Sequence, residues 1–185
     1  FGLAFFIGIF YVRKTIKDIS LLELVSGFIC GIALFAGYAF QNYGLMDTTP
    51  SKSAFITSVS VVLVPIILVL FRLQKVDLRM WGATFMAIIG LYILLDPGGV
   101  GLNIGDILTF GCALSFAVHV IFQDRYLGKG INMNHFYLTQ VMFVTLFCLL
   151  GVVFIEGPIF YMSERLLIAI LVTGILGTFV SFLLM

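Results

Sequence analysis

The chain has 185 residues, 62% of them hydrophobic and 10% charged, with a net charge of +1 and a mean hydropathy of +1.19. A soluble domain is closer to half apolar and a quarter charged, so the composition excludes a soluble enzyme and a disordered segment, and the small net charge offers no field to attract nucleic acid. Most of this surface must face lipid, and the expected fold class is an all-α membrane protein, a polytopic helical bundle.

A helix needs about 20 apolar residues to cross roughly 30 Å of hydrocarbon. Seven transmembrane segments reach or approach that length: 1–12, 24–46, 53–71, 80–95, 107–123, 136–155 and 166–185. The first is a stump closed by Arg13, Lys14 and Lys17, and 53–71 carries no charge at all. Strands of a membrane barrel would alternate apolar and polar residues; the run 59–71 does not. Cys30, Cys112 and Cys148 lie singly in separate apolar runs, which is neither a disulfide framework nor a zinc site. The chain opens at Phe1 and closes at Met185 within apolar runs, as expected of a piece of a longer membrane protein.

The connections alternate in charge. Segments 13–20, 72–79 and 124–135 carry eight basic residues, whereas 47–52, 96–105 and 156–165 carry only Lys52 and Arg165. If every segment spans, these sets fall on opposite sides, and the positive-inside rule places the first set in the cytoplasm. Thr49 followed by Pro50 reads as a helix cap and first helical residue, and Asp96-Pro97-Gly98-Gly99 reads as a stop. Gly27/Gly31, Ala33/Gly37, Ala83/Ala87, Gly111/Ser115 and Ala113/Ala117 are small residues four apart that let helix backbones approach in lipid.

Polar residues inside a span must face a partner or a wet cavity. Ser53, Thr57 and Ser60 share one helix face; Tyr38 and Gln41 share another, joined in part by Asn42. Gly111, Ser115 and His119 follow one another by fours, Gly174, Thr178 and Ser181 repeat the serine–threonine spacing, and Gln140 is the one amide of 136–155. The substrate-binding candidates are Tyr38, Gln41, Asn42, Thr57, Ser60, Ser115 and His119. Tyr38 can stack on or hydrogen-bond a half-wet ligand, and the two amides offer donors and acceptors. Each hydroxyl can instead bond the carbonyl four residues back, and His119 can be either a packed neutral histidine or a group that titrates near neutral pH. The cavity is expected between 24–46, 53–71, 107–123 and 166–185, with 80–95 outside it. No charge lies deep in a span, since Glu23 and Asp106 sit at edges. That leaves facilitated exchange, coupling through His119 or coupling through a helix outside this sequence.

The stretch 31–95 resembles the third to fifth helices of the EamA-type transporters of the drug/metabolite transporter superfamily. The resemblance is carried by Gln41-Asn42, Thr48-Thr49-Pro50-Ser51-Lys52-Ser53-Ala54-Phe55, Pro65, Trp81-Gly82 and Gly90, in that order. Gly105-Asp106 with Ala113-Leu114-Ser115 resembles the family's sixth helix, and Leu176-Gly177-Thr178 its eighth. Many members carry Glu shortly before the Trp-Gly pair, where this chain has Gln74. The resemblance implies ten helices in two inverted five-helix repeats. Residues 1–95 would then be the first repeat without its first helix, and 106–185 the first three helices of the second. Matching Gly31 to Gly174 aligns two segments that cross in opposite directions, as an inverted repeat requires.

The function expected is a secondary transporter exporting a small amino-acid-like or amphipathic metabolite across a bacterial cytoplasmic membrane by alternating access. Its partners would be a small-molecule substrate and the lipid bilayer, with no nucleic acid, no cofactor and no metal, and with room for a homo-oligomer. An intramembrane enzyme would want a nucleophile turn and an orienting acid beside Ser115 and His119, and a channel would want a filter loop or charge ring; the sequence has neither. A membrane channel or a structural membrane subunit is nevertheless kept as the alternative, ahead of an intramembrane enzyme. The charge sorting predicts that Lys75→Cys resists a membrane-impermeant thiol reagent added outside intact cells, whereas Lys52→Cys reacts; ready labelling at 75 would reverse the orientation.

Overall fold

The computed structural model describes residues 1–12, 16–74, 76–95, 103–156 and 163–172, and among these it is helical with no strand. The helices are α1 (Gly2–Val12), α2 (Leu21–Gly44), α3 (Pro50–Ser58), α4 (Ser60–Leu70), α5 (Leu78–Leu95), α6 (Ile104–Leu127), α7 (Met133–Gly151) and α8 (Glu164–Leu171). Four stretches are long and apolar enough to cross a bilayer: Leu21–Gly44, Pro50–Leu70, Ile104–Leu127 and Met133–Phe154. Of the other expected segments, α1 is an 11-residue helix, α5 has 18 residues, and 166–185 is described only as far as 172. Lys75, the Asp96 stop and the stripe Gly174, Thr178, Ser181 lie outside the described residues.

Two helices begin earlier than their hydropathy suggests, for the same reason. At α2 the Ser20 backbone N–H donates to Glu23 Oε2 (2.7 Å) while the Glu23 N–H donates to Ser20 Oγ (3.2 Å). At α6 the Asn103 N–H donates to Asp106 Oδ2 (2.9 Å) and the Asp106 N–H to Asn103 Oδ1 (2.8 Å). Each is a reciprocal capping box that satisfies the orphan donors of a first turn. Thr49 caps α3 as its sequence implies, accepting from the Lys52 N–H at 3.3 Å with Pro50 at the helix start.

The expected segment 53–71 is divided. Pro65 cannot donate to the Val61 carbonyl and its ring crowds that group, and the helix is interrupted at Val59, whose N–H bonds Ile56 O instead (3.1 Å). α4 ends with Arg72 in the left-handed region (φ 51°), the Leu73 N–H donating to Leu68 O at 2.8 Å. This tight stop turns the chain into α5 after a short connection, and α5 packs back on α3 and α4.

The chain forms two compact units, and each draws on both sequence halves. One comprises 1–35 and 125–185, the other 36–124. In the first, α1 lies along α7 and α2 meets α7 through glycine. A Cβ on Gly27 would fall 2.7 Å from Thr139 Cβ, and one on Gly31 3.0 Å from Phe143 Cβ. Cys30, Val141 and Val144 fill the core there, flanked by Phe28 packed edge-on against Phe143 (5.2 Å, 82°). The spacing that matches Gly31 with Gly174 also matches the first residue of α2 with the first of α8.

In the second unit Gly44 and Gly105 bring the end of α2 to the start of α6, a Cβ on Gly44 lying 2.9 Å from Gly105 O. Cys112, Ala113, Ala117 and Ile121 form the buried face of α6. A Cβ on Gly82 or Gly90 of α5 would meet nothing within 4 Å beyond its own turn of helix among the described residues. Gly27→Val should therefore destabilise the detergent-solubilised protein by about 1–3 kcal/mol through overpacking, whereas Gly82→Ala should be neutral or stabilise it by up to about 1 kcal/mol. Melting temperatures of the two variants test the contrast, and equal tolerance would refute this packing.

Candidate functional site

The seven residues singled out from sequence all fall in the unit 36–124, but the structure treats them differently. An open cavity of about 270 Å³ lies against the start of α4 and the middle of α6. Ser60, Val61 and Val64 contribute from α4, Met80 from α5, and Phe116, Ala117 and Val120 from α6. Ser60 is thus the one candidate on its wall among the described residues. Tyr38 reaches the same place at one remove, its ring meeting the Phe116 ring edge-on at 5.4 Å and 74°.

The others are placed elsewhere. Thr57 Oγ1 lies 3.9 Å from Cys112 Sγ, and Ser115 Oγ donates to the Gly111 carbonyl one turn back at 2.9 Å, the ordinary resting place of a helical hydroxyl. Gln41 and His119 are half-buried and Asn42 is exposed. Ser53, from the same stripe as Thr57 and Ser60, is buried, its hydroxyl without a hydrogen-bond partner among the described residues. α5, expected to stand apart, supplies Met80 because the short α4–α5 connection folds its first turn onto the cavity.

Phe116, Met80 and Val64 are cavity residues that the polar pattern alone did not point to. Phe116 follows Ser115 directly, and its signal was Gly37: a Cβ there would lie 2.6 Å from Phe116 Cδ1 and 3.2 Å from Cζ, so the small residue marks the place where the ring sits. The cavity offers an apolar wall and one hydroxyl, suited to burying a hydrocarbon body. Among the described residues no group of three or more His, Cys, Asp or Glu is placed to hold a metal ion.

Charge is handled at the helix starts. Asp106, 2% exposed, accepts from Lys52 Nζ (2.6 Å), Thr48 Oγ1 (2.7 Å) and the Asn103 N–H (2.9 Å). Asn103 Nδ2 donates to Asp47 O at 2.7 Å. The connection between α2 and α3 is thereby clasped to the first turn of α6. Within the other unit Glu23 does the equivalent: Oε1 accepts from the Asn132 N–H (2.9 Å), and Oε2 stands 3.3 Å from His135 Nδ1. Asn132 in turn caps α7, its Oδ1 accepting from the Asn134 N–H at 3.0 Å. Both clasps were signalled by a polar residue three before an acid, Ser20 before Glu23 and Asn103 before Asp106, although their long-range partners were not.

The sequence profile of the EamA-like transporter family matches residues 1–96. An uncharacterized transporter of Archaeoglobus fulgidus is 33% identical over 177 residues, covering 96% of this chain and 55% of its own length. The chain thus spans about half the length of that relative. No solved structure matches. With its membrane-length apolar helices, the chain is an integral, multi-pass membrane protein.

The Asp106 clasp generates two predictions. Asp106→Asn keeps the shape but takes the carboxylate charge away from Lys52 Nζ, Thr48 Oγ1 and the Asn103 N–H, and should cost about 1.5–3 kcal/mol of stability; adding Lys52→Met should restore part of it. Melting in detergent checks this, and a single variant as stable as the parent would show the pair to be dispensable. Ser53→Ala should be no less stable than the parent, because it removes a buried hydroxyl that has no partner among the described residues. Since Lys52 is engaged, exposed Ser51 is the better cysteine reporter for the connection 47–52.

Proposed function

Because this chain belongs to the EamA-like transporter family, we propose that the whole protein is a secondary transporter. It moves a small amino-acid-like or amphipathic metabolite out across the cytoplasmic membrane by alternating access. The observation that carries this reading is the apolar, uncharged cavity walled by α4, α5 and α6, with Ser60 at its edge and Tyr38 behind Phe116. A carrier must release its cargo on both sides, and neutral hydrogen bonders with hydrocarbon walls bind without the deep trap that a fixed charge makes. The Ser115 hydroxyl is given to its own helix, which supports a packing role rather than a nucleophile.

The charge arrangement supports the orientation with 13–20, 72–79 and 124–135 in the cytoplasm. Of the two basic residues in the opposite set of connections, Lys52 is neutralised by buried Asp106. What remains to interact with the membrane potential and anionic lipid is more one-sided than the bare count.

The test is uptake by proteoliposomes holding the full-length protein, offered a panel of radiolabelled amino acids and amphipathic compounds. Saturable uptake of at least one member is expected. Ser60→Ala, on the cavity wall, should weaken it by roughly 2- to 13-fold, the worth of one neutral hydrogen bond of about 0.5–1.5 kcal/mol. Undiminished uptake by Ser60→Ala at normal expression would remove the cavity hydroxyl from the site, and the absence of uptake across the panel would overturn the transport reading.

A further inference from the structure

We propose that Phe116, seated on Gly37, sets the size of the hydrocarbon group that the cavity accepts, and that the substrate class is an amphipathic compound with a bulky apolar body. This rests on the transport reading above and names the cargo of the same site.

The ring of Phe116 has a fixed seat. On one side Gly37 leaves the space that a Cβ would fill, 2.6 Å from Cδ1 and 3.2 Å from Cζ. Beside it the Tyr38 ring holds it edge-on at 5.4 Å, a favoured aromatic geometry. The ring therefore cannot retreat from the cavity without losing Tyr38, nor sit where it does if residue 37 gains a side chain. Its free edge shares the cavity wall with Val64, Met80 and Val120.

The chemistry of the wall decides the cargo. Among the described residues the space of about 270 Å³ is lined by one side-chain hydroxyl, that of Ser60, and otherwise by the apolar side chains of Val61, Val64, Met80, Phe116, Ala117 and Val120. Its volume is near the lower end of the range for small-molecule sites. An ionised head group moved inside would lose its hydration and find no charge in return. A branched or aromatic side group would instead shed its hydration against Phe116 and Met80 while the head group stays at the open mouth. A small, wholly polar metabolite gains nothing from this wall.

The experiment uses the full chain and a series with one head group and a growing side group: glycine, alanine, valine, leucine, phenylalanine and tryptophan. Binding is read as ligand-induced stabilisation of the detergent-solubilised protein, with proteoliposome uptake in parallel. The parent should favour the larger apolar members over glycine. Phe116→Ala should shift the preference toward the largest by roughly tenfold in relative affinity, and Gly37→Ala, which pushes the ring into the cavity, should shift it toward the smallest by a similar factor. Phe116→Leu keeps the wall filled and should lie between, so a misfolded alanine variant does not end the test. A parent that prefers glycine would overturn the substrate class, and an unchanged ranking in Phe116→Leu and Gly37→Ala would overturn the role of Phe116. Shifted binding without any uptake would support the site while overturning transport.

Discussion

A carboxylate shut away from water must be given its donors by the protein, and among the described residues two are buried, each in the first turn of a helix. Glu23 and Asp106 are 4% and 2% exposed, and an ion so placed costs several kcal/mol unless its oxygens find donors. Both find them in the same two steps. A capping residue three positions back supplies backbone donors, and a distant connection supplies the rest, Asn132 and His135 for Glu23 and Thr48 and Lys52 for Asp106. The carboxylates thus fix where their helices start and which connection lies against them.

With the ends held, the approach of the helices is set by what their surfaces lack. Lipid tails are as apolar as leucine, so close packing rather than hydrophobicity holds spans together. Gly27 and Gly31 admit α7, and Gly44 and Gly105 admit each other's backbone. At Gly37 the space goes to an aromatic ring instead of a backbone, and that exception shapes the cavity. On the opposite wall the interruption at Val59, one turn and a half before Pro65, places Ser60 at the start of a new helix.

Period and hydropathy were enough to read the helical class, because long apolar runs separated by charged connections admit few other structures. The Thr49-Pro50 start and the Gly27/Gly31 packing were readable for similarly local reasons. The starts of α2 and α6 were missed by three residues because hydropathy weighs Glu23 and Asp106 as exclusions, whereas a capping box turns each into part of the helix. The cavity was only partly readable. Looking for polar stripes located Ser60, but Ser115 bonds its own backbone and Asn42 is exposed, facts that depend on neighbours rather than on spacing. Phe116 was invisible as one of 20 phenylalanines; only the collision at Gly37 distinguishes it. The partners of Asp106 lie more than 50 positions away in sequence, beyond any local pattern.

We propose that the chain is part of a carrier that alternates, rather than of a pore, and trans-acceleration in proteoliposomes of the full-length protein separates the two. Labelled substrate outside should enter several-fold faster into vesicles preloaded with the same unlabelled compound, because a loaded carrier returns to the outside sooner than an empty one. Uptake that neither saturates nor responds to the internal substrate would contradict the account, since that is how an open pathway behaves.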